Sequence, residues 1–120
     1  MKFTATEAGF ENGMGGASNS KANDEHHYIL FGMQEDPQHP EYNGAYFEYD
    51  DQKNGKVNSV EAVSINEKMV CFKLLSGTLI EIKFDVSAEQ WGAFLSGIRT
   101  VFTLTDGTPD LKGSVNGNAI

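Results

Sequence analysis

The chain has 120 residues and a formal net charge of −8, from 17 Asp and Glu against nine Lys and Arg. This length fits one domain with a single hydrophobic core, and a hydrophobic share of 39% is enough to pack that core. A surface with this charge is repelled by phosphate groups, so direct binding of DNA, RNA or an anionic membrane is not expected.

The compartment can be predicted from three features of the sequence. Cys71 is the single cysteine and lies in an apolar run, so an intrachain disulfide is excluded and a buried thiol is expected. The first residues lack the apolar core of a signal peptide. No segment approaches the roughly twenty apolar residues of a membrane span. We therefore expect a cytoplasmic protein.

The two ends of the chain differ from its middle. Residues 2–7 predict a short first strand, whereas residues 9–25 are dominated by Gly, Asn, Ser and Ala and predict a flexible loop. Residues 105–120 contain several turn signals and few apolar side chains, so they predict a loosely ordered C-terminal tail. Residues 1–104 are then a single domain.

Two strands and a turn are predicted in the first half of the ordered region. Residues 27–33 are a short apolar run with aromatic and β-branched members, which predicts a buried strand. Residues 36–44 contain two prolines and predict a loop, and residues 45–51 predict a second strand. Strand alternation places three side chains opposite Phe47, namely Tyr46, Glu48 and Asp50. Residues 52–55 contain Asn-Gly and predict a hairpin turn.

The second half predicts further strands and a helix. Residues 57–65 are apolar on both parities, which predicts a bulge or a strand buried on both faces. Residues 69–75 and 79–86, joined by Ser-Gly, predict a tight hairpin. Ser87 begins a capping box, and a helical stripe follows it: Trp91, Phe94, Leu95, Ile98 and Phe102. The predicted fold is α+β, an antiparallel meander sheet of five or six strands packed by one C-terminal helix.

The most unusual feature is the acidic stretch of residues 24–51, which holds eight carboxylates and no Lys or Arg. The eight are Asp24, Glu25, Glu35, Asp36, Glu41, Glu48, Asp50 and Asp51. Such charges repel one another unless a partner compensates them, which indicates a docking surface for a basic protein; an acidic surface that only maintains solubility is the equal alternative. The predicted contact residues are Glu35, Asp36, Glu41, Tyr42, Tyr46, Glu48, Asp50 and Asp51, the tyrosines as aromatic anchors. Reversing Glu48 and Asp50 to Lys is predicted to slow association and to leave the fold intact.

Catalytic and metal sites are weaker alternatives. Glu48 and Asp50 on one strand face would have Cα atoms roughly 6.5 to 7 Å apart, a separation compatible with a carboxylate pair acting on a glycosidic bond. His39 could join Glu35, Asp36 or Glu41 in a metal site, although the spacing matches no ligand motif. No nucleophile, base and orienting group can be named together, so we expect no enzymatic activity, no cofactor and no metal. A structural module of a larger assembly is a further alternative.

The run at residues 48–55, EYDDQKNG, is preceded by an apolar strand and followed by alternating strands and a terminal helix. In this arrangement the chain resembles the immunity protein 10 family of bacterial polymorphic toxin systems. The resemblance covers roughly residues 26–102, and its most specific element is E-x-D-D-Q-x-N-G. Residues 56–59 depart from it, since KVNS replaces a more aromatic and Gly-rich continuation.

The resemblance implies a small cytoplasmic antidote that binds and blocks a cognate toxin, often a nuclease. A nuclease must attract phosphate and tends to be basic near its active site, so an acidic inhibitor can place carboxylates where phosphates would lie. The positions that match the family are Glu48, Asp50, Asp51 and Gln52. Their Asp-Asp-Gln run could instead be structural and hydrogen-bond the turn backbone. The expected partner is this toxin alone, and the protein is expected to be a monomer or a dimer.

Overall fold

The computed structural model describes residues 1–19, 26–102 and, by their backbone, 110–113. Its strands are β1 (Lys2–Ala5), β2 (Glu7–Glu11), β3 (Met14–Ser18), β4 (Tyr28–Gln34), β5 (Gly44–Tyr49), β6 (Asp51–Val57), β7 (Val60–Asn66), β8 (Met69–Leu74), β9 (Leu79–Phe84) and β10 (Asp110–Gly113). The helix α1 covers Ala88–Phe102, and a single 3-10 turn covers Pro40–Tyr42. The predicted α+β class with a C-terminal helix packed on antiparallel strands is confirmed.

The strands form two five-stranded sheets. Sheet A has the order β1-β9-β8-β7-β10, and sheet B has the order β2-β3-β4-β5-β6. All pairs in sheet B are antiparallel, whereas β1 and β10 run parallel to their neighbours at the two edges of sheet A. The chain leaves sheet A after β1 and returns to it after β6, which is why the meander is divided between two sheets.

The Gly-rich segment near the N-terminus forms a β-hairpin through residue 18, where the sequence predicts a flexible loop. A Cβ at Gly15 would overlap the Phe31 ring, so glycine here permits close packing between β3 and β4. The hairpin reverses at Asn12 and Gly13, which have φ values of 53° and 80°. In this segment Gly15 therefore allows two strands to pack closely, and Asn12 and Gly13 form the turn of the hairpin. Residues 20–25 of the predicted loop lie outside the described residues.

The predicted C-terminal tail contributes one strand to sheet A. The backbone of β10 pairs in parallel with β7, from Asp110 opposite Ala62 to Gly113 opposite Ile65. The remainder of residues 105–120 lies outside the described part of the chain. The tail is thus an edge strand over the four residues of β10.

The core lies between the inner faces of the two sheets and α1. Phe47 of sheet B and Phe72 of sheet A have ring centroids 4.7 Å apart. Phe94 of the helix packs edge-on against Phe31 of sheet B, with ring centroids 5.5 Å apart, and at a tilt against Phe84 of sheet A, with ring centroids 4.7 Å apart. The helix therefore contacts both sheets and joins them into one core.

The predicted helix start, hairpin and bulge are confirmed. The Gln90 N–H donates to Ser87 Oγ at 3.1 Å, as the capping box requires. Strands β8 and β9 form the predicted hairpin. The pairing of β7 with β8 shifts register between Val60 and Ala62, so that Ala62 and Val63 are both buried. These elements follow from local sequence patterns that tertiary packing leaves unchanged.

Candidate functional site

The structure divides the acidic stretch between the two ends of β5. Residues 35–43, here called the acidic loop, connect β4 to β5 at one end. Asp50 and Asp51, here called the acidic turn, follow β5 at the other. Six strand residues at about 3.3 Å each separate the two groups by about 20 Å. The acidic residues of this one stretch of sequence therefore form two separate features of the structure, the acidic loop and the acidic turn.

The acidic loop is held in place by its own hydrogen bonds. The Asp36 N–H donates to Asn43 Oδ1, and Asp36 Oδ1 accepts from the Gln38 N–H at 3.0 Å. Gln34 Nε2 donates to the Tyr42 carbonyl at 2.9 Å. Two of these bonds connect the beginning of the loop to its end, so its side chains project from an ordered backbone.

The acidic loop presents three of the predicted contact residues to solvent. Glu35 and Glu41 are exposed, and Tyr42 is 52% exposed. Asp36 is half-buried because its carboxylate turns back onto the loop. His39 Nδ1 lies 3.2 Å from Glu41 Oε1. The loop therefore offers an exposed aromatic ring and two exposed carboxylates, both of which precede the ring in sequence.

Glu48 lies inside the protein, which corrects its predicted place on the surface. It is 7% exposed, and the Tyr46 hydroxyl donates to its Oε1 at 2.6 Å. The Tyr28 hydroxyl, from the neighbouring strand β4, donates to its Oε2. Glu48 does lie on the side of β5 opposite Phe47, as alternation predicts, but the two tyrosines cover it. Both carboxylate oxygens therefore have a hydroxyl partner.

The two tyrosines are protonated donors over the physiological pH range. The hydrogen bond to Glu48, with burial, raises the pKa of Tyr46 to about 12. Burial, with the hydrogen bond to Glu48, raises the pKa of Tyr28 well above its ordinary value. Both carboxylate oxygens of Glu48 are held by these donors. The structure therefore does not support the predicted catalytic pair of Glu48 and Asp50.

The hairpin turn between β5 and β6 falls at Asp50, and the prediction of a turn at residues 52–55 is wrong. Asp50 has φ of 58°, and Tyr49 pairs directly with Asp51. Residues 52–55 belong to β6, where Asn54 Nδ2 donates to the Tyr49 carbonyl at 2.9 Å. A Cβ at Gly55 would overlap the Tyr46 hydroxyl. The Asn-Gly pair thus supports packing around the Glu48 site and makes no turn.

The acidic turn is partly internal. Asp50 Oδ2 lies 2.8 Å from His27 Nδ1, and its Oδ1 accepts from the Tyr28 N–H at 3.1 Å. Asp51 is exposed, and its Oδ1 accepts from the Lys53 N–H at 2.9 Å. Asp50 therefore anchors the turn to β4. The structural alternative for the Asp-Asp-Gln run concerns Asp51 and Gln52, and Asp51 does bond the adjacent backbone while its second carboxylate oxygen faces solvent.

The described residues contain no group of three or more His, Cys, Asp or Glu that could hold a metal ion. His39 stands beside Glu41, and Cys71 is a half-buried free thiol. Burial raises the pKa of the Cys71 thiol, which keeps it protonated at neutral pH. Of the ligand set drawn from His39 and the acids of the loop, the structure brings together the pair His39 and Glu41 and no third ligand among the described residues.

The two sheets differ in charge, a feature that sequence reasoning missed. Strands β2 to β5 of sheet B contain Glu residues and no Lys or Arg, and the lysines of this sheet lie on its edge strand β6. On sheet A, Lys2 Nζ lies 3.3 Å from Glu81, and Lys73 Nζ lies 2.9 Å from Glu61. The signal is present in the sequence as the absence of basic residues from 3 to 20, but it has meaning only once that segment is assigned to sheet B.

No protein-family model, curated protein or solved structure matches this chain. Within residues 1–19 and 26–102, no helix has the length and apolar character needed to cross a membrane. What the structure itself defines is an α+β protein with an ordered acidic loop at one end of sheet B.

Proposed function

We propose that the protein is a cytoplasmic, non-enzymatic immunity protein that binds and neutralises a cognate basic toxin of the nuclease type. The observation that carries this proposal is the acidic loop, where Glu35, Glu41 and Tyr42 are all exposed. No Lys or Arg occurs between residues 22 and 52 to compensate these charges. The resemblance of residues 48–55 to an immunity family supports the same function.

The acidic loop suits rapid and selective binding of a basic surface. Carboxylates with a common sign attract a positively charged partner over a distance and raise the association rate. Hydrogen bonds at Asp36 and Gln34 hold the loop backbone before binding, which lowers the entropy lost on association. Tyr42 offers a large ring with few rotatable bonds, the kind of side chain that dominates interface energetics.

The proposed contact set is narrower than the set predicted from the sequence. Glu35, Asp36, Glu41, Tyr42 and Asp51 remain as partner contacts. The other three, Tyr46, Glu48 and Asp50, are hydrogen-bonded within the protein and take a supporting role. They connect β5 and the acidic turn to Tyr28 of β4 and to His27 directly before it.

The test uses the toxin encoded beside this chain's gene, produced in catalytically inactive form. Glu35→Lys with Glu41→Lys should slow association about tenfold or more at low salt, because charge reversal turns attraction into repulsion. The matched control reverses two exposed acids next to the strands of sheet A, Glu67 in the turn after β7 and Asp85 directly after β9, with the same change in net charge. Stopped-flow fluorescence gives the association rate for each variant.

The salt dependence provides the second measurement. For the unmodified protein the association rate should fall steeply as ionic strength rises, since exposed charges are screened beyond about 8 Å at physiological salt. An association rate independent of salt, or equal slowing in both double variants, would contradict a role for the acidic loop. Full toxin activity in the presence of excess protein would contradict the immunity function itself.

A further inference from the structure

A cleft of about 400 Å³ lies where the edge strand β6 meets the ends of β7 and β8. Lys53 and Lys56 of β6 line one part of it, and Val57, Leu74 and Leu75 line another. No Asp, Glu or His is among the described residues that line this cleft. Its volume falls in the range of small-molecule sites. We call it the lysine cleft.

The irregular pairing of β6 explains why both lysines reach one cleft. Residues three apart on a regular strand point to opposite faces of the sheet. The β5–β6 pairing shifts register between Phe47 and Tyr49, so β6 does not keep that alternation along its length. Lys53 and Lys56 therefore line the same cleft, although a strict period of two would separate them.

The two lysines are uncompensated within the described residues. Neither forms an ion pair there, whereas Lys2 and Lys73 each lie within 3.3 Å of a glutamate. Two ammonium groups at one concave site repel each other, and an anion between them would relieve that repulsion. In a chain with a net charge of −8, this cleft is a local concentration of positive charge.

We propose that the lysine cleft binds a small organic anion, a carboxylate or phosphate carried on an apolar or aromatic body. Lys53 and Lys56 would contact the anionic group as charged donors. The buried Leu74 and the exposed Leu75, with Val57, would contact the body. This site is separate from the acidic loop, and the proposal does not depend on the immunity function.

The apolar wall is the reason to expect an amphipathic ligand rather than a bare ion. Leu75 is 65% exposed, the largest exposed fraction among the large hydrophobic residues that the structure describes, and its N–H donates to the Ser59 carbonyl at 2.8 Å. A ligand body on Leu75 would remove that apolar surface from water, which is favourable in proportion to the area covered. A bare inorganic anion would leave it exposed.

The experiment titrates the isotopically labelled protein with phenyl phosphate and follows its amide resonances by NMR. The neutral probe benzyl alcohol, with the same ring, is the comparison ligand. Saturable shifts confined to residues 53–59 and 74–76 are expected with phenyl phosphate, and weaker binding with benzyl alcohol. Inorganic phosphate should also bind more weakly, because it lacks the body.

Two double variants separate local charge from net charge. Lys53→Gln with Lys56→Gln should weaken phenyl phosphate binding about tenfold or more, because each charged hydrogen bond is lost while a polar side chain remains. Lys68→Gln with Lys83→Gln removes the same charge from two exposed positions, one in the turn after β7 and one on β9, and should leave the affinity unchanged.

Three results would overturn the proposal. The first is the absence of saturable shifts up to about 10 mM phenyl phosphate, ten times the Kd of a weak millimolar site. The second is equal affinity for benzyl alcohol, which would leave the lysines without a role. The third is equal weakening in both double variants, which would show that only net charge matters.

Discussion

Glu48→Lys should destabilise the protein severely, in contrast to the sequence-based expectation that charge reversal there leaves the fold intact. The carboxylate is 7% exposed and accepts two tyrosine hydroxyls. Each hydrogen bond to a charged group contributes about 1.5–3 kcal/mol. Lysine loses both bonds and places an ammonium where a carboxylate was enclosed. Allowing for partial escape of the long side chain to solvent, we expect a loss of about 3–5 kcal/mol in the free energy of unfolding.

The assay is urea unfolding followed by circular dichroism. With an m-value of about 1–3 kcal/mol/M for a small domain, the expected loss shifts the midpoint by about 2 M. Asp51→Lys is the matched control, since it makes the same charge change three residues away at an exposed position. It should cost less than about 1 kcal/mol, because it removes one exposed hydrogen bond, the one from the Lys53 N–H.

Similar midpoints for Glu48→Lys and Asp51→Lys would refute the reasoning, because they would show that Glu48 is no more enclosed than its exposed neighbour. Glu48→Gln adds a finer measurement. The amide keeps the shape and one acceptor oxygen, so its cost should fall between those of the two lysine variants.

Two further predictions concern packing and pH. Gly97→Ala should destabilise the protein by about 1–2 kcal/mol, because the new methyl group would overlap the Phe10 ring. Gly92→Ala, in open space on the same helix, should stabilise it by about 0.5–1 kcal/mol. Chemical denaturation of both variants should therefore show stability changes of opposite sign, and a gain in stability at Gly97 would contradict the packing against Phe10. The pKa of Tyr46 is raised from 10.0 to about 12 in the folded protein, so its contribution to stability is complete below pH 10 and is lost as pH rises through 12. The difference in unfolding free energy between the unmodified protein and Tyr46→Phe should therefore be constant below pH 10 and shrink above it, and a difference that stays constant through pH 12 would contradict the Tyr46–Glu48 bond.

Elements with strong local signals were predictable from the sequence. The helix has a capping serine and a stripe at helical spacing, and the structure confirms both, with Trp91, Phe94 and Ile98 buried. The β8–β9 hairpin follows from alternation around a Ser-Gly turn. These patterns report which face of an element is apolar, and burial of that face is the main driving force of folding.

The Gly-rich N-terminal hairpin could not be predicted in this way. Gly15 has no side chain to bury, so it adds nothing to a hydrophobic pattern. Its role becomes visible only when the Phe31 ring of the adjacent strand occupies the space of the missing Cβ. A residue that acts through an absent atom leaves no periodic signal in its own segment.

By itself, the sequence determined the composition of charge, the fold class and the face of β5 on which Glu48 stands. Tertiary structure decided whether that face is open. Tyr28 lies twenty residues away in sequence and next to Glu48 in space, and its hydroxyl converts an apparent surface charge into an internal one. Periodicity specifies direction along one strand, whereas burial depends on what the neighbouring strand contributes, and that is set by register across the sheet.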